Sequence, residues 1–225
     1  RLSYAALLAE VNRIANVLVD DMRVVPGNRV LLRGSNSPAM AAAWFAVVKA
    51  GGVAVATMAL LRARELTEII AKAQVTHALC DARLAGELDA ARTACPTLRE
   101  VAHFASETAD GLEARARQKA DGFTNVDTAA DDVALIAFTS GTTGKPKGTM
   151  HFHRDVMAIC DCFPRSVAGL SRDDICCGSP PFAFTFGLGG LVLFPMRVGA
   201  ATLLLEQAAP PQLIAGIHEH RPTVC

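Results

Sequence analysis

Ten residues past the middle of the chain, Thr139 to Gly148, read T-S-G-T-T-G-K-P-K-G and hold four hydroxyls, three glycines and two lysines. Glycines let backbone N–H groups approach a ligand closely, hydroxyls donate, and ammonium groups neutralise charge. The chemistry this mixture suits is the holding of phosphate oxygens. An apolar run, Val133-Ala134-Leu135-Ile136-Ala137-Phe138, leads into it, and Thr149-Met150-His151-Phe152-His153 comes after it.

Two common phosphate loops fail on residues. A Walker A loop needs a glycine where Thr139 stands and a hydroxyl directly after Lys145, where the chain has Pro146. A dinucleotide fingerprint is absent, since Gly187-Leu188-Gly189-Gly190 lacks the third glycine position and the strand-to-helix context. The stretch after Pro146 is strand-like, so the loop cannot draw on a helix dipole and relies on its own amides, hydroxyls and lysines. A long glycine-rich loop between two strands is expected to be mobile without ligand.

The elements that must position this loop alternate. Helical periodicity runs from Leu2 to Asp21 with Ser3 as N-cap, and Arg29–Arg33 is a short strand. Ser37-Pro38 opens a helix that reaches Lys49, Gly51-Gly52 ends it, and Val53–Ala56 is the next strand. The unit repeats as helix Glu65–Ala73, strand Thr76–Cys80, helix Ala85–Thr93 and strand Leu98–Phe104. The polar stretch Ser106–Asp121 reads as a solvent-facing helix or excursion. Beyond the loop come strand Gly148–Phe152, helix His153–Val167, strand Ile175–Gly178, helix Gly187–Arg197, strand Ala201–Leu205 and helix Pro211–His220. Alternating short strands and helices predict an α/β fold of mostly parallel sheets flanked by helices. The strands V-A-L-I-A-F and A-T-L-L-L are expected to be covered on both faces. Two βα subdomains could meet near residues 105–130.

Composition narrows the partners. The 225 residues are 51% hydrophobic and 20% charged, with 22 basic against 22 acidic side chains. A balanced chain of this kind is globular and offers no electrostatic footprint for nucleic acid or an anionic membrane. Ile175–Met196 lacks charge over 22 positions, but Pro180, Pro181, Pro195 and four glycines break it into soluble elements. Seven cysteines without a C-x-x-C pair fit reduced thiols in a cytoplasmic protein. The opening on Arg1 inside a helical pattern and the stop just after Thr223-Val224 suggest a fragment of a longer enzyme.

T-S-G-T-T-G-K-P-K-G, continuing into T-M-H-F-H-R-D, resembles the phosphate-binding signature of the adenylate-forming enzymes: acyl- and aryl-CoA synthetases, peptide-synthetase adenylation domains and luciferases. Trp44-Phe45-Ala46-Val47-Val48-Lys49-Ala50-Gly51-Gly52 is similar to their upstream helix-and-glycine motif, and Pro181-Phe182-Ala183-Phe184-Thr185-Phe186-Gly187 to their aromatic, substrate-adjacent segment. Many members place histidine where Phe184 stands; phenylalanine there is similar to benzoate- and 2-aminobenzoate-CoA ligases.

The resemblance implies a truncated large N-terminal AMP-binding domain over residues 1–225, without the C-terminal domain and its catalytic lysine. It also implies ATP, Mg2+ and CoA as cofactors and a small aromatic acid as substrate, joined first to AMP and then to the CoA thiol. Nucleotide phosphates would be held by Thr139, Ser140, Gly141, Thr142, Thr143, Gly144 and Lys145, with Lys147 helping or stabilising the loop. Phe184, Phe182, Gly187 and His153 would lie at the substrate. Read as an alternating stretch, Phe182, Phe184 and Phe186 share one face. His151 and His153 alternate on one strand face without a third ligand nearby, so no metal site is expected from them. The chain alone would be inactive, because the family's adenine-binding, ribose-binding and magnesium-holding residues have no match here. Alternatives are an adenylation domain loading a carrier protein and a non-catalytic piece of a degenerate homologue.

Overall fold

The computed structural model describes residues 1–139 and 146–225. Helix α1 (Tyr4–Asn16) starts where the Ser3 hydroxyl accepts from the Ala6 N–H at 3.1 Å, and a π-helical turn, Val17–Asp21, extends it. Strand β1 (Arg29–Arg33) leads through Gly34–Ser37 to α2 (Pro38–Lys49). Ser37 caps α2 by accepting from the Met40 N–H, and Pro38 supplies a pre-set φ at a position that needs no N–H. Gly51 ends this unit at φ +73°, a backbone conformation that glycine adopts without cost.

Strand β2 (Val53–Thr57), α3 (Ala63–Ala73), β3 (His77–Asp81), α4 (Ala85–Arg92) and β4 (Glu100–Phe104) repeat the pattern. After the short α5 (Leu112–Ala116) the chain forms β5 (Val133–Thr139) and β6 (Lys147–Phe152). These six strands make one sheet in the order β4-β3-β1-β2-β5-β6. Neighbours are parallel except β6, which runs antiparallel to β5 with Thr139 opposite Lys147.

Both faces of the central strands are covered, which is why they read as continuous apolar runs. Val30 and Leu32 join the core formed with α1 and α2, whereas Leu31 and Val55 join the one formed with α3 and α4. In α3, Leu66, Ile69, Ile70 and Ala73 recur at helical spacing and are all buried. Trp44 on α2 is only 5% exposed and meets Phe45 edge to face, ring centroids 5.1 Å apart.

Several buried polar groups inside this sheet are partnered, although the buried Nε2 of His103 on β4 is not. Arg33, 1% exposed, donates to the carbonyls of Leu84, Met58, Ala59 and Leu61 at 2.8–3.3 Å, tying together the loops after β2 and β3. Burial pushes its guanidinium below its ordinary pKa. His77, 5% exposed, lies 3.0 Å from the Met22 carbonyl through Nε2 and 2.8 Å from the Thr76 hydroxyl through Nδ1. A carbonyl can only accept, so Nε2 carries a proton. Desolvation lowers its pKa despite that bond. Burial alone would raise the Asp81 carboxyl, but hydrogen bonds from the Arg83 side chain and backbone outweigh it and hold the carboxyl below its usual range.

Helix α6 (His153–Cys162), a π turn to Val167, and β7 (Ile175–Cys176) come after the hairpin. Next come α7 (Thr185–Leu188), a π turn over Gly189–Leu193, α8 (Phe194–Val198), β8 (Ala201–Thr202) and α9 (Pro210–His220). Strands β7 and β8 pair in parallel as a second, small sheet, and Val224 bridges to Cys176. Among the described residues no helix is long and apolar enough to cross a membrane.

Three local expectations change. The 106–121 stretch is not simply solvent-facing: Leu112 and Ala116 are each 1% exposed against α1, and Lys119 bonds Asp21 at 2.6 Å. A-T-L-L-L is not a strand covered on both faces, since only Ala201–Thr202 pairs and the leucines stay half-buried; Leu203 and Leu205 face Gly216 of α9. Residues 181–184 are not strand, so Phe182, Phe184 and Phe186 do not share a face. Phe182 is buried in the core at 4% exposed, while Phe184 and Phe186 are 41% and 76% exposed.

Candidate active site

The stretch expected to hold phosphate falls between the paired strands β5 and β6. Thr139 and Lys147 face each other across the ladder, both exposed, and so present a hydroxyl and an ammonium at the loop's base. Ser140, Gly141, Thr142, Thr143, Gly144 and Lys145, and with them the expectation of a mobile loop, lie outside the described residues. On the distal side the Lys72 ammonium of α3 donates to the Pro146 carbonyl at 2.9 Å. Gly148 sits tightly beneath the sheet's side chains: a Cβ there would stand 3.0 Å from Ile136 and 3.2 Å from Phe138.

Further down the same hairpin, a cavity of about 960 Å3 opens between the large sheet, α6 and the 175–193 segment. Leu135 of β5 and His151 of β6 line it on one side. Four residues separate Leu135 from Thr139, roughly 13 Å of strand. The opposite wall is the helical segment from Thr185 to Phe194, where Phe186, Gly189, Gly190 and Leu193 are among the residues that line the cavity. A Cβ on Gly190 would meet nothing within 4 Å, so this glycine widens the space. Gly189 is required for a different reason, since its Cβ would lie 2.8 Å from the Phe194 ring.

Gly187 shows how the wall is built. Its Cβ would stand 2.2 Å from the Pro181 carbonyl oxygen and 2.7 Å from that of Pro180. No side chain fits there, so the Pro180-Pro181 backbone presses directly on the start of α7. Two of the three cysteines lining the cavity are held as thiols: burial raises the pKa of Cys176 and Cys177, which disfavours the thiolate.

Of the positions expected at substrate, Phe182 is a core residue, Gly187 a packing residue behind the wall, and Phe184 stands at the N-cap of α7. His153 is the first residue of α6, with its N–H donating to the Asp132 carbonyl, so it does not share a strand face with His151. None of these four lines the cavity, whereas their neighbours Phe186, Thr185 and His151 do. The missed signal was a change of period: Pro180-Pro181 ends extended pairing, and from Thr185 the ring-and-glycine spacing is helical rather than alternating. Among the described residues no group of three or more His, Cys, Asp or Glu side chains is placed to hold a metal ion.

The chain belongs to the AMP-binding enzyme family, which matches residues 1–225. Among curated relatives, a benzoate–CoA ligase of Thauera aromatica is 26% identical over 223 residues, covering 99% of this chain and 42% of the relative. A 3-hydroxybenzoate–CoA/4-hydroxybenzoate–CoA ligase of the same organism is 30% identical over 240 residues, covering 99% and 43%. The fold matches an anthranilate CoA ligase in complex with anthranoyl-AMP at a TM-score of 0.91, over 97% of this chain and 42% of that one, at 24% identity. The chain thus spans less than half the length of these relatives.

Proposed function

We propose that the whole protein activates an aromatic carboxylic acid of benzoate or 2-aminobenzoate type with ATP and passes the acyl group to CoA. The observation that carries this reading is the cavity: apolar, walled by the Phe186 ring and two glycines, and reached along the paired strands β5 and β6 that flank the stretch expected to hold phosphate. Ligand pockets fall at about 300–1,000 Å3, and flat rings pack well against an aromatic wall with small neighbours. Two relatives bearing hydroxybenzoate and benzoate ligase names support the same acid class.

In the first step a carboxylate oxygen bonds to the α-phosphorus of ATP, and the bond to the departing pyrophosphate breaks. Charge develops on the pyrophosphate oxygens, and donors fixed there lower the barrier more than donors in water would. The amides of Gly141 and Gly144, the hydroxyls of Thr139, Ser140, Thr142 and Thr143, and Lys145 are assigned to that task, with Lys147 steadying the loop. In the second step the CoA thiolate attacks the acyl carbon and AMP leaves. Phe184 and His153 are retained as residues near the carboxylate's entry, Phe182 and Gly187 as supports of the wall. Formal net charge of zero is consistent with small-molecule partners and a cytoplasmic protein.

AMP release by the whole protein, with CoA, against benzoates, aminobenzoates and fatty acids tests the acid class. Preference for benzoates is expected, and preference for fatty acids overturns it. Lys145→Ala is expected to slow acid-dependent pyrophosphate exchange about 100-fold while the melting temperature holds. An unchanged exchange rate removes Lys145 from the mechanism.

A further inference from the structure

Pro180 and Pro181 carry no backbone N–H, yet the segment they form must stay in place because the start of α7 rests on its carbonyls. Among the described residues no strand pairs with it. One side chain from a distant part of the sequence holds it instead. The Asn36 Nδ2 donates to the Pro180 carbonyl at 2.9 Å, and its Oδ1 accepts from the Phe182 N–H at 2.9 Å. A carbonyl only accepts and an N–H only donates, so this pair fixes the amide's orientation. The side-chain amide thus does what an adjacent strand's peptide would do.

Asn36 is itself rigidly placed. It is 6% exposed and lies between the end of β1 and Ser37, whose hydroxyl caps α2. Gly34, two residues before, is pressed against Phe104, which a Cβ would approach to 2.7 Å. From Asn36 the contact chain runs through Pro180–Phe182 to Gly187, and the Phe184 N–H closes it by donating to the Pro181 carbonyl at 3.0 Å. Thr185 and Phe186, at the far end, line the cavity.

We propose that Asn36 is a positioning residue for the acid: it clamps Pro180–Phe182 and thereby fixes where Thr185 and Phe186 stand in the cavity wall. The inference rests on the cavity being the acid's site. It implies that loss of the clamp loosens the wall without touching the phosphate-type loop, so acid and ATP should respond differently.

The test compares Asn36→Ala and Asn36→Asp with the wild type in the whole protein. Asp keeps the shape and can accept from Phe182 but cannot donate to Pro180. The expected result for Ala is a KM for the aromatic acid raised about tenfold, with the KM for ATP within about twofold. Asp should raise the acid KM at least as far as Ala, because it buries a carboxylate and turns one of its oxygens toward the Pro180 carbonyl. Amide hydrogen exchange over residues 178–190 should quicken about tenfold in Ala while β1 is unchanged. Unchanged exchange over 178–190, or acid and ATP KM values rising together, would overturn the clamp. Should either variant not fold, the other decides by the same readouts. A wild type that releases no AMP with any aromatic acid would overturn the proposed function instead, and the exchange measurement would still decide whether Asn36 holds the segment.

Discussion

The parallel strands β1–β4 and the segment 175–205 solve the problem of burial in different ways. In the strands the buried polar groups Arg33, Thr57, His77 and Asp81 are each supplied with partners, and both faces are covered by helices. In the segment the packing relies on glycines at van der Waals contact with backbone and rings, the strands are two residues long, and Phe186 is 76% exposed. One region is closed by directional bonds; the other stays open around a cavity and is held at a few points. Fixed frames suit the first, and space for a ligand suits the second.

Three substitutions put this contrast to the test. The largest effect is expected for Arg33→Met, which removes the donor to four half-buried carbonyls. Leaving such acceptors without partners should cost about 4 kcal/mol, read by urea unfolding with far-UV circular dichroism. A loss below about 1 kcal/mol would mean that the frame does not depend on its directional bonds. Next comes Gly187→Ala, where overpacking against the Pro180 and Pro181 carbonyls should cost about 3 kcal/mol and lower turnover of the acid. Full stability would show that the segment yields easily. The smallest effect concerns His77. Its folded pKa is lowered, so the unfolded chain binds the proton first, and stability present above the ordinary histidine pKa is lost as pH falls below it. The melting temperature should decline from about pH 7 to about pH 5, and His77→Gln should flatten that slope. An identical slope in the variant would assign the decline to other groups.

The same contrast explains what could be read from sequence. Strand β1 at 29–33 and helix α2 at 38–49 match their expected bounds, because a clean cap, an N-terminal proline and a glycine stop speak locally. The clasp of 106–121 onto α1 was not legible, since its charges pair with Asp20 and Asp21 nearly a hundred residues away. The phosphate-type loop expected from composition lies, at 140–145, outside the described residues. The cavity wall was not legible, because Phe182, Phe184 and Phe186 look alternating until Gly187 forces a helix start against two prolines. Asn36 gave no sign at all: its partners lie 144 and 146 residues further on.

The burial of Trp44 has an optical consequence. It is the sole tryptophan of this chain, it sits inside the α1–α2 core, and it does not line the cavity. Its emission therefore reports the solvent-shielded state of the frame and should stay constant while an acid fills the cavity. A shift to longer wavelength during a ligand titration would signal that the scaffold is opening.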